Sequence, residues 1–169
     1  MDKDKIIIYT DGSCLGNPGR GGFAAVLMWG GKRKEISGGF RKTTNNRMEI
    51  LAVIEALKNI KSGKKFKIIL HSDSKYVVNA FNNGWLTKWE SKGWMRTRKD
   101  KVLNVDLWKE LFPLSKQFDI EFQWVEAHAG IPENERCDFL CKQAASGADL
   151  AIDEIYEAEV ENSIYSDNE

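Results

Sequence analysis

The chain has no run of 18 apolar residues, only three cysteines and no net charge, and each shortage excludes something. Without such a run, no segment is expected to span a membrane as a helix. The amino terminus, Met1-Asp2-Lys3-Asp4-Lys5, is too charged for a secretory leader. Cys14, Cys137 and Cys141 are an odd set rather than a disulfide framework, and predict a cytoplasmic protein with reduced thiols. Zero net charge argues against a polyanionic partner until its distribution is read. Residues 149–169 hold eight acids and no Lys or Arg. Setting those eight aside leaves 17 acids against 25 basic residues in 1–148, a net of +8. The reading is one basic domain over 1–148, large enough for a real core, followed by an acidic tail over 149–169.

The first apolar run, Ile6-Ile7-Ile8-Tyr9, has no polar alternation and predicts a strand buried on both faces. It ends at Thr10-Asp11-Gly12-Ser13, which places Asp11 in the crevice beyond the strand ends, where open α/β sheets bind ligands. Gly12 is read as permitting a sharp turn and close approach of a ligand. A second strand, from Phe66 to His71, ends the same way at Ser72-Asp73-Ser74. If the two strands are parallel neighbours, Asp11 and Asp73 face each other. Such a pair repels unless one acid is protonated or a cation lies between them. All-oxygen donors of this kind suit magnesium or manganese.

Residues 12–22 contain five glycines and read as a loop, one that lacks the Gly-Lys-Ser/Thr ending of a nucleotide-triphosphate cradle. Phe23 to Trp29 and Lys34 to Arg41 read as a hairpin around Gly30-Gly31. Thr43-Thr44-Asn45-Asn46 offers helix caps before an amphipathic helix over about 45–60. Glu49 falls in its first turn, either as a capping partner of Asn46 or as a third acid for the site. A short helix is expected over about 74–82, another from Asn104, and a half-exposed strand over 119–125. Between 84 and 101, Trp85, Trp89 and Trp94 are interleaved with six Lys or Arg against Glu90 and Asp100. Spacing by four suits the inner stripe of a helix, while aromatics mixed with cations suit a surface that follows a phosphate backbone. Pro132 can begin a final helix with Asp138 in its second turn and with Cys137 and Cys141 as core thiols.

These stretches together resemble type 1 ribonuclease H. The resemblance rests on Tyr9-Thr10-Asp11-Gly12-Ser13-Cys14-Leu15-Gly16-Asn17-Pro18-Gly19, Thr44-Asn45-Asn46-Arg47-Met48-Glu49 and Ser72-Asp73-Ser74. It continues in Gly93-Trp94, Asn104-Val105-Asp106-Leu107-Trp108 and His128-Ala129-Gly130 with Pro132-Glu133-Asn134-Glu135-Arg136-Cys137-Asp138. Each motif is short, but six in the family's order over about 5–146 are specific. The resemblance implies a ribonuclease H-like α/β fold, a mixed five-stranded sheet flanked by helices. It implies a monomer whose partner is an RNA/DNA hybrid and not a membrane. The implied reaction is two-metal-ion hydrolysis of the RNA strand with Mg2+ or Mn2+, leaving 5′-phosphate and 3′-hydroxyl ends.

By the same resemblance Asp11, Glu49, Asp73 and Asp138 are the metal ligands, although Asp138 alone reads as an ordinary helix-surface acid. His128, which alone could be a solvated loop residue, would move protons or help product leave; imidazoles take up and release protons near neutral pH. Gly12, Cys14, Asn17, Asn45, Asn46 and Lys75 would line the minor groove, the face through which A-form-like duplexes expose their 2′-hydroxyls. Thr44, Asn45 and Asn104 would hold a DNA-strand phosphate, and Trp85 and Trp89 the DNA channel. For Asn45, Asn46 and Asn104, helix capping competes with these roles. Ala127, Ile131 and Lys75 depart from the family's usual residues around the loop and groove, and the Asp73-to-Trp85 spacing is one residue longer. The tail falls outside the resemblance and is expected to be solvated, with a partner-binding segment, a nucleic-acid mimic that folds back on the basic patch and a short helix as alternatives. Two rival functions are a hybrid-binding module without catalysis, which should lack a carboxylate or the histidine, and a DNA transposase-like enzyme, which should lack the Asn-rich motif.

Overall fold

The computed structural model describes residues 4–166; Met1–Lys3 and Asp167–Glu169, the outermost residues of the two segments assigned above, lie outside the described residues. β1 (Lys5–Cys14), β2 (Gly19–Trp29) and β3 (Lys32–Thr43) form an antiparallel meander. Then come α1 (Asn45–Lys58), β4 (Lys67–Ser72), α2 (Lys75–Asn82), α3 (Trp85–Ser91), α4 (Val105–Ser115) and β5 (Asp119–Trp124). The chain continues through α5 (Pro132–Ser146), β6 (Leu150–Ala151) and α6 (Glu154–Ser166). The sheet order is β5-β4-β1-β2-β3-β6, with β1, β4 and β5 mutually parallel. The mixed α/β sheet is therefore as expected, with six strands rather than five. The sixth is the two-residue β6, which follows α5 and pairs Leu150 and Ala151 with Gly39 and Phe40.

β1 is central and covered on both faces. Ile6 and Ile8 point into the larger core with Ile50, Val53, Ile54, Leu57 and Leu70, while Tyr9 packs toward Cys137, Leu140 and Cys141 on α5. A strand covered on both faces must be apolar on both, which is what the unalternated Ile run encodes. The two thiols of α5 lie in the core, as expected. The glycine-rich stretch differs from the loop read in the sequence: β1 continues to Cys14 and β2 resumes at Gly19. Gly12, Gly19, Gly21 and Gly22 are there for close packing, while Gly16 supplies a positive φ (110°) in the turn between the strands. A Cβ at Gly22 would lie 2.1 Å from the Cys141 carbonyl oxygen, so α5 sits directly on the strand.

The same applies to Gly12, and here the reason differs from the sequence reading. Gly12 is extended within β1 opposite Phe23, and a Cβ there would lie 2.3 Å from the Met48 carbonyl carbon and 2.4 Å from the Glu49 nitrogen. The close neighbour is the first turn of α1, and this contact brings Glu49 beside Asp11. Gly12→Ala must push α1 off the strand, an overpacking cost of about 3 kcal/mol. A chemical-denaturation midpoint equal to that of wild type would show that α1 yields at no cost.

The segment after α5 is not a solvated tail over its described length. Asp153 is 8 % exposed, takes a hydrogen bond from the Thr43 hydroxyl (2.7 Å), and accepts two from the Arg47 guanidinium (2.7 and 3.0 Å). Arg47 also forks onto Asp106 at 2.9 and 2.7 Å, so α1, α4 and the approach to α6 meet on one buried guanidinium. Beyond Asp153, α6 rests on β3, where Arg41 pairs with Glu157. The short helix weighed as an alternative is present. Among the described residues no helix is long and apolar enough to cross a membrane.

Candidate active site

Two parallel strand ends and two helix starts converge on one cleft. β1 delivers Asp11, and the end of β4 delivers Asp73, which is half-buried; the strands pair through Tyr9–His71 and Thr10–Ser72, so the two acids are neighbours as the parallel arrangement requires. Thr44 caps α1, its hydroxyl accepting from the Arg47 amide at 3.2 Å, which sets Glu49 one turn in and facing β1. The capping role considered for Asn45, Asn46 and Glu49 is thus taken by Thr44. Asp138 comes from the second turn of α5, behind Pro132 at its start. Oxygen atoms of Asp11, Glu49 and Asp73 lie within 4.8 Å of one another, and Asp11 forms an equally close group with Asp138 and the Cys141 thiol. Asp11 is the acid common to both groups.

The cleft stores uncompensated negative charge. Asp11 is 4 % exposed and Glu49 8 %. Burial, then the neighbouring Asp73 carboxylate, pushes Asp11 up to about 7, although the Gly12 amide donates to it at 2.9 Å. Burial, Asp11 and Asp73 together hold Glu49 well above the usual carboxylate range. Among the described residues Glu49 Oε2 is buried without a hydrogen-bond partner. An orphaned acceptor beside two further carboxylates is costly unless a cation neutralises it, so these donors fit a divalent metal. The set is oxygen-rich and therefore hard; burial raises the Cys141 thiol far above its ordinary value, so sulfur is a poor alternative ligand.

The cleft, about 520 Å3, brings together Asp11, Gly12, Cys14, Asn45, Asn46, Glu49, Asp73, Lys75, His128 and Asp138 from the predicted set. Asn45 Oδ1 accepts from the Cys14 amide at 2.6 Å, and Asn17 Oδ1 accepts from the Asn45 amide at 3.1 Å, stitching the β1–β2 turn to the start of α1. Asn45 lines the cleft with its Oδ1 already engaged, and Asn46 is exposed beside it. Lys75 Nζ lies 4.9 Å from the Trp124 ring centre, whose Nε1 donates to the Asp73 carbonyl at 3.1 Å. His128 is exposed on the loop before α5 with a left-handed backbone (φ 58°). That conformation is unfavourable for a side-chain-bearing residue, and His128 is one of the residues that line the cleft.

Asn17, Thr44, Trp85, Trp89 and Asn104 do not line this cleft. Asn104 is left-handed (φ 58°) and makes no side-chain cap; its Nδ2 donates to the Tyr76 hydroxyl at 3.3 Å, and Tyr76 does line the cleft. Trp85 and Trp89 are half-buried with rings 6.0 Å apart, and Trp89 packs 5.9 Å from the buried Trp108. For these two the inner-stripe reading holds in part, since each keeps an exposed portion. Two residues given no role in the sequence contribute here. Asn134, 2 % exposed, donates to Asp73 Oδ2 at 3.1 Å, and Lys142 pairs with Asp138 at 3.0 Å. The lysine was legible as a partner four residues on along a helix, whereas nothing local links Asn134 to Asp73, 61 residues away.

Residues 3–146 match the family described as RNase H. Over 152 residues the chain is 55 % identical to the Ribonuclease H of Syntrophus aciditrophicus (strain SB), covering 90 % of this chain and 87 % of that protein. The Ribonuclease H of Desulforamulus reducens is 51 % identical over 88 % of this chain and 92 % of its own. Among solved structures, LC9-RNase H1, a type 1 RNase H with the type 2 active-site motif, superposes with a TM-score of 0.77 at 30 % identity, covering 88 % of this chain and 75 % of that one. LC11-RNase H1, solved in complex with an RNA/DNA hybrid, shares the fold with a TM-score of 0.62 at 22 % identity over 83 % and 96 % of the two chains.

Proposed function

The chain belongs to the ribonuclease H family, and on that premise we propose which of its residues cut and which hold the substrate. The reaction is hydrolysis of the RNA strand of an RNA/DNA hybrid by a two-metal-ion mechanism, leaving a 5′-phosphate and a 3′-hydroxyl. One observation carries the assignment of the site: four carboxylates from four separate elements meet in one cleft, with a buried, unpartnered oxygen on Glu49. Asp11, Glu49, Asp73 and Asp138 are the ligands, and the all-oxygen set favours Mg2+, with Mn2+ as its substitute. When bound, the ions supply positive charge at the scissile phosphate and make the attacking water more acidic.

The chain's own groups do the rest. Asn134 fixes the rotamer of Asp73, and the Gly12 amide fixes that of Asp11. Asn45 Nδ2 and Asn46 are positioned with Cys14 and Lys75 to read the minor groove, and Asn17 holds Asn45 in place. Asn104 and Thr44 serve a DNA-strand phosphate, and the exposed portions of Trp85 and Trp89 border the DNA channel. His128 shuttles a proton or releases product from its exposed loop. The catalytic domain is assigned to 1–148 and acts as a monomer, and its three free thiols suit a reducing cytoplasm.

Single-turnover cleavage of an RNA/DNA hybrid separates these roles. Amide substitutions at the four acids should each cost about a thousandfold or more, as expected when a metal ligand is lost. His128→Ala should cost only about 100-fold, the lower end of a general acid–base contribution. Equal losses at His128 and Asp11 would contradict the division of labour. A full set of inactive variants alongside an inactive wild type that still binds hybrid would instead identify a binding module.

A further inference from the structure

Trp108, fully buried near the start of α4, carries an indole nitrogen that can only donate a hydrogen bond. It donates to the Tyr76 hydroxyl at 3.0 Å, and the two rings meet edge to face at 5.4 Å and 66°. Asn104, the residue before α4, donates through Nδ2 to the same hydroxyl at 3.3 Å. A phenol oxygen has room for a pair of incoming donors and carries a single hydrogen of its own. Both incoming positions are taken, and among the described residues both partners of this hydroxyl are donors, so its own hydrogen is left over. The donors belong to α4 and its leading residue, whereas Tyr76, half-buried in the first turn of α2, is one of the residues that line the catalytic cleft. The open side for that hydrogen is the cleft.

A hydroxyl that served only to satisfy Trp108 would need an acceptor for its hydrogen inside the fold, because a polar hydrogen shut away from water without one is costly. Facing the cleft, it can instead meet a substrate oxygen. The two incoming N–H bonds polarise the oxygen and strengthen the bond that it donates, since chained hydrogen bonds reinforce one another. They also fix its direction. Asn104 adds a second donor beside it, because Nδ2 has a further hydrogen that Tyr76 does not use. The left-handed backbone of Asn104 (φ 58°) goes with the absence of a side-chain cap on α4, so its amide serves Tyr76 instead. An O–H and an N–H side by side suit an anionic phosphate oxygen, which proteins hold with tyrosine and asparagine side chains as well as with cations.

We propose that Tyr76 is a further substrate-binding residue, whose hydroxyl donates to the DNA-strand phosphate assigned to Asn104. Trp108 acts behind it as a positioning residue, holding the O–H bond in the direction of the cleft. This contact presupposes that Asn104 serves such a phosphate, as proposed above. Because the DNA strand is not the one cut, the contact seats the hybrid without touching the scissile bond. Its loss weakens binding and leaves the rate of the bound complex unchanged.

Tyr76→Phe keeps the ring against Trp108 and removes the oxygen alone. In hybrid cleavage with Mg2+ it should raise KM about tenfold or more, the worth of a hydrogen bond to a charged group, with kcat unchanged. A set of hybrids, each with one uncharged methylphosphonate at a different DNA-strand position, then locates the contact. At one position the gap between wild type and Tyr76→Phe should close, and elsewhere it should remain. A KM equal to that of wild type, or a gap of the same size at every position, would overturn the proposal and leave the hydroxyl as a support for Trp108. Asn104→Ala on the same set keeps the two readings apart. Closure of its gap at the same position supports both, and closure at a different position overturns the shared phosphate. Closure for Asn104→Ala alone sinks the Tyr76 contact only, whereas closure for Tyr76→Phe alone sinks the assignment of Asn104.

Discussion

Metal-free Asp11→Asn protein should be more stable than metal-free wild type at pH 8, although it should be nearly inactive. The physical cause is the charge crowding that makes the site useful. Burial and Asp73 raise Asp11 from 3.8 to about 7, a preference for the neutral form on the order of 4 kcal/mol. The folded state therefore holds a proton on Asp11 that the unfolded state has released between about pH 4 and pH 7, so the stability of the metal-free protein falls as pH rises through that window. Glu49, also raised, acts in the same direction. Asparagine removes one charge from the cluster, so the gain should approach, without exceeding, about 4 kcal/mol at pH 8 and shrink toward zero near pH 4. Divalent metal should reverse the ranking by stabilising wild type, more strongly at pH 8 than at pH 5, through its preference for the folded state. Thermal denaturation in chelator and in excess Mg2+ at the two pH values checks this. Identical pH profiles for the two proteins would show that Asp11 carries no stored charge.

Asp153→Ala should destabilise the protein by about 3 kcal/mol or more, a larger effect than its place in an acidic terminal segment suggests. Arg47 and Asp153 have side chains 3 % and 10 % exposed, and breaking such a buried pair leaves a cation without one of its two partners. Asp106 still pairs with Arg47, so Arg47→Met, which strips both acids of their partner at once, should cost at least as much. Denaturant melts of Asp153→Ala and of a chain ending at Gly147 should give similar losses. A truncated chain as stable as wild type would mean that the segment beyond α5 contributes nothing. Because Arg47 lies two residues before Glu49, the truncation should also lower hybrid cleavage by loosening the start of α1.

These two cases mark where sequence reading succeeds and stops. Asp11 and Asp73 were legible because each ends an apolar strand run, and the placement of strand ends in α/β sheets is general. The elements α1, β4, α4 and β5 fell within a few residues of their expected spans because apolar period and caps are local signals. Glu49 and Asp138 are not distinguishable from a capping residue and a helix-surface acid by local pattern; only the approach of α1 over Gly12 and of α5 over Gly22 shows where they point. Asp153 was read as solvated because its neighbours are acidic, and a buried partner 106 residues away leaves no local trace. Gly12 is extended rather than in a sharp turn for a related reason, since the group that packs on it is a helix distant in sequence.

The most direct test is cleavage with Mg2+ of a hybrid labelled separately on its RNA and DNA strands, beside double-stranded RNA, double-stranded DNA and an Asp11→Asn control. Cutting confined to the RNA strand of the hybrid, with new 5′-phosphate ends, lost in chelator and in the variant, is the predicted result. Cutting of double-stranded DNA, or hybrid cleavage that survives Asp11→Asn, would contradict the account.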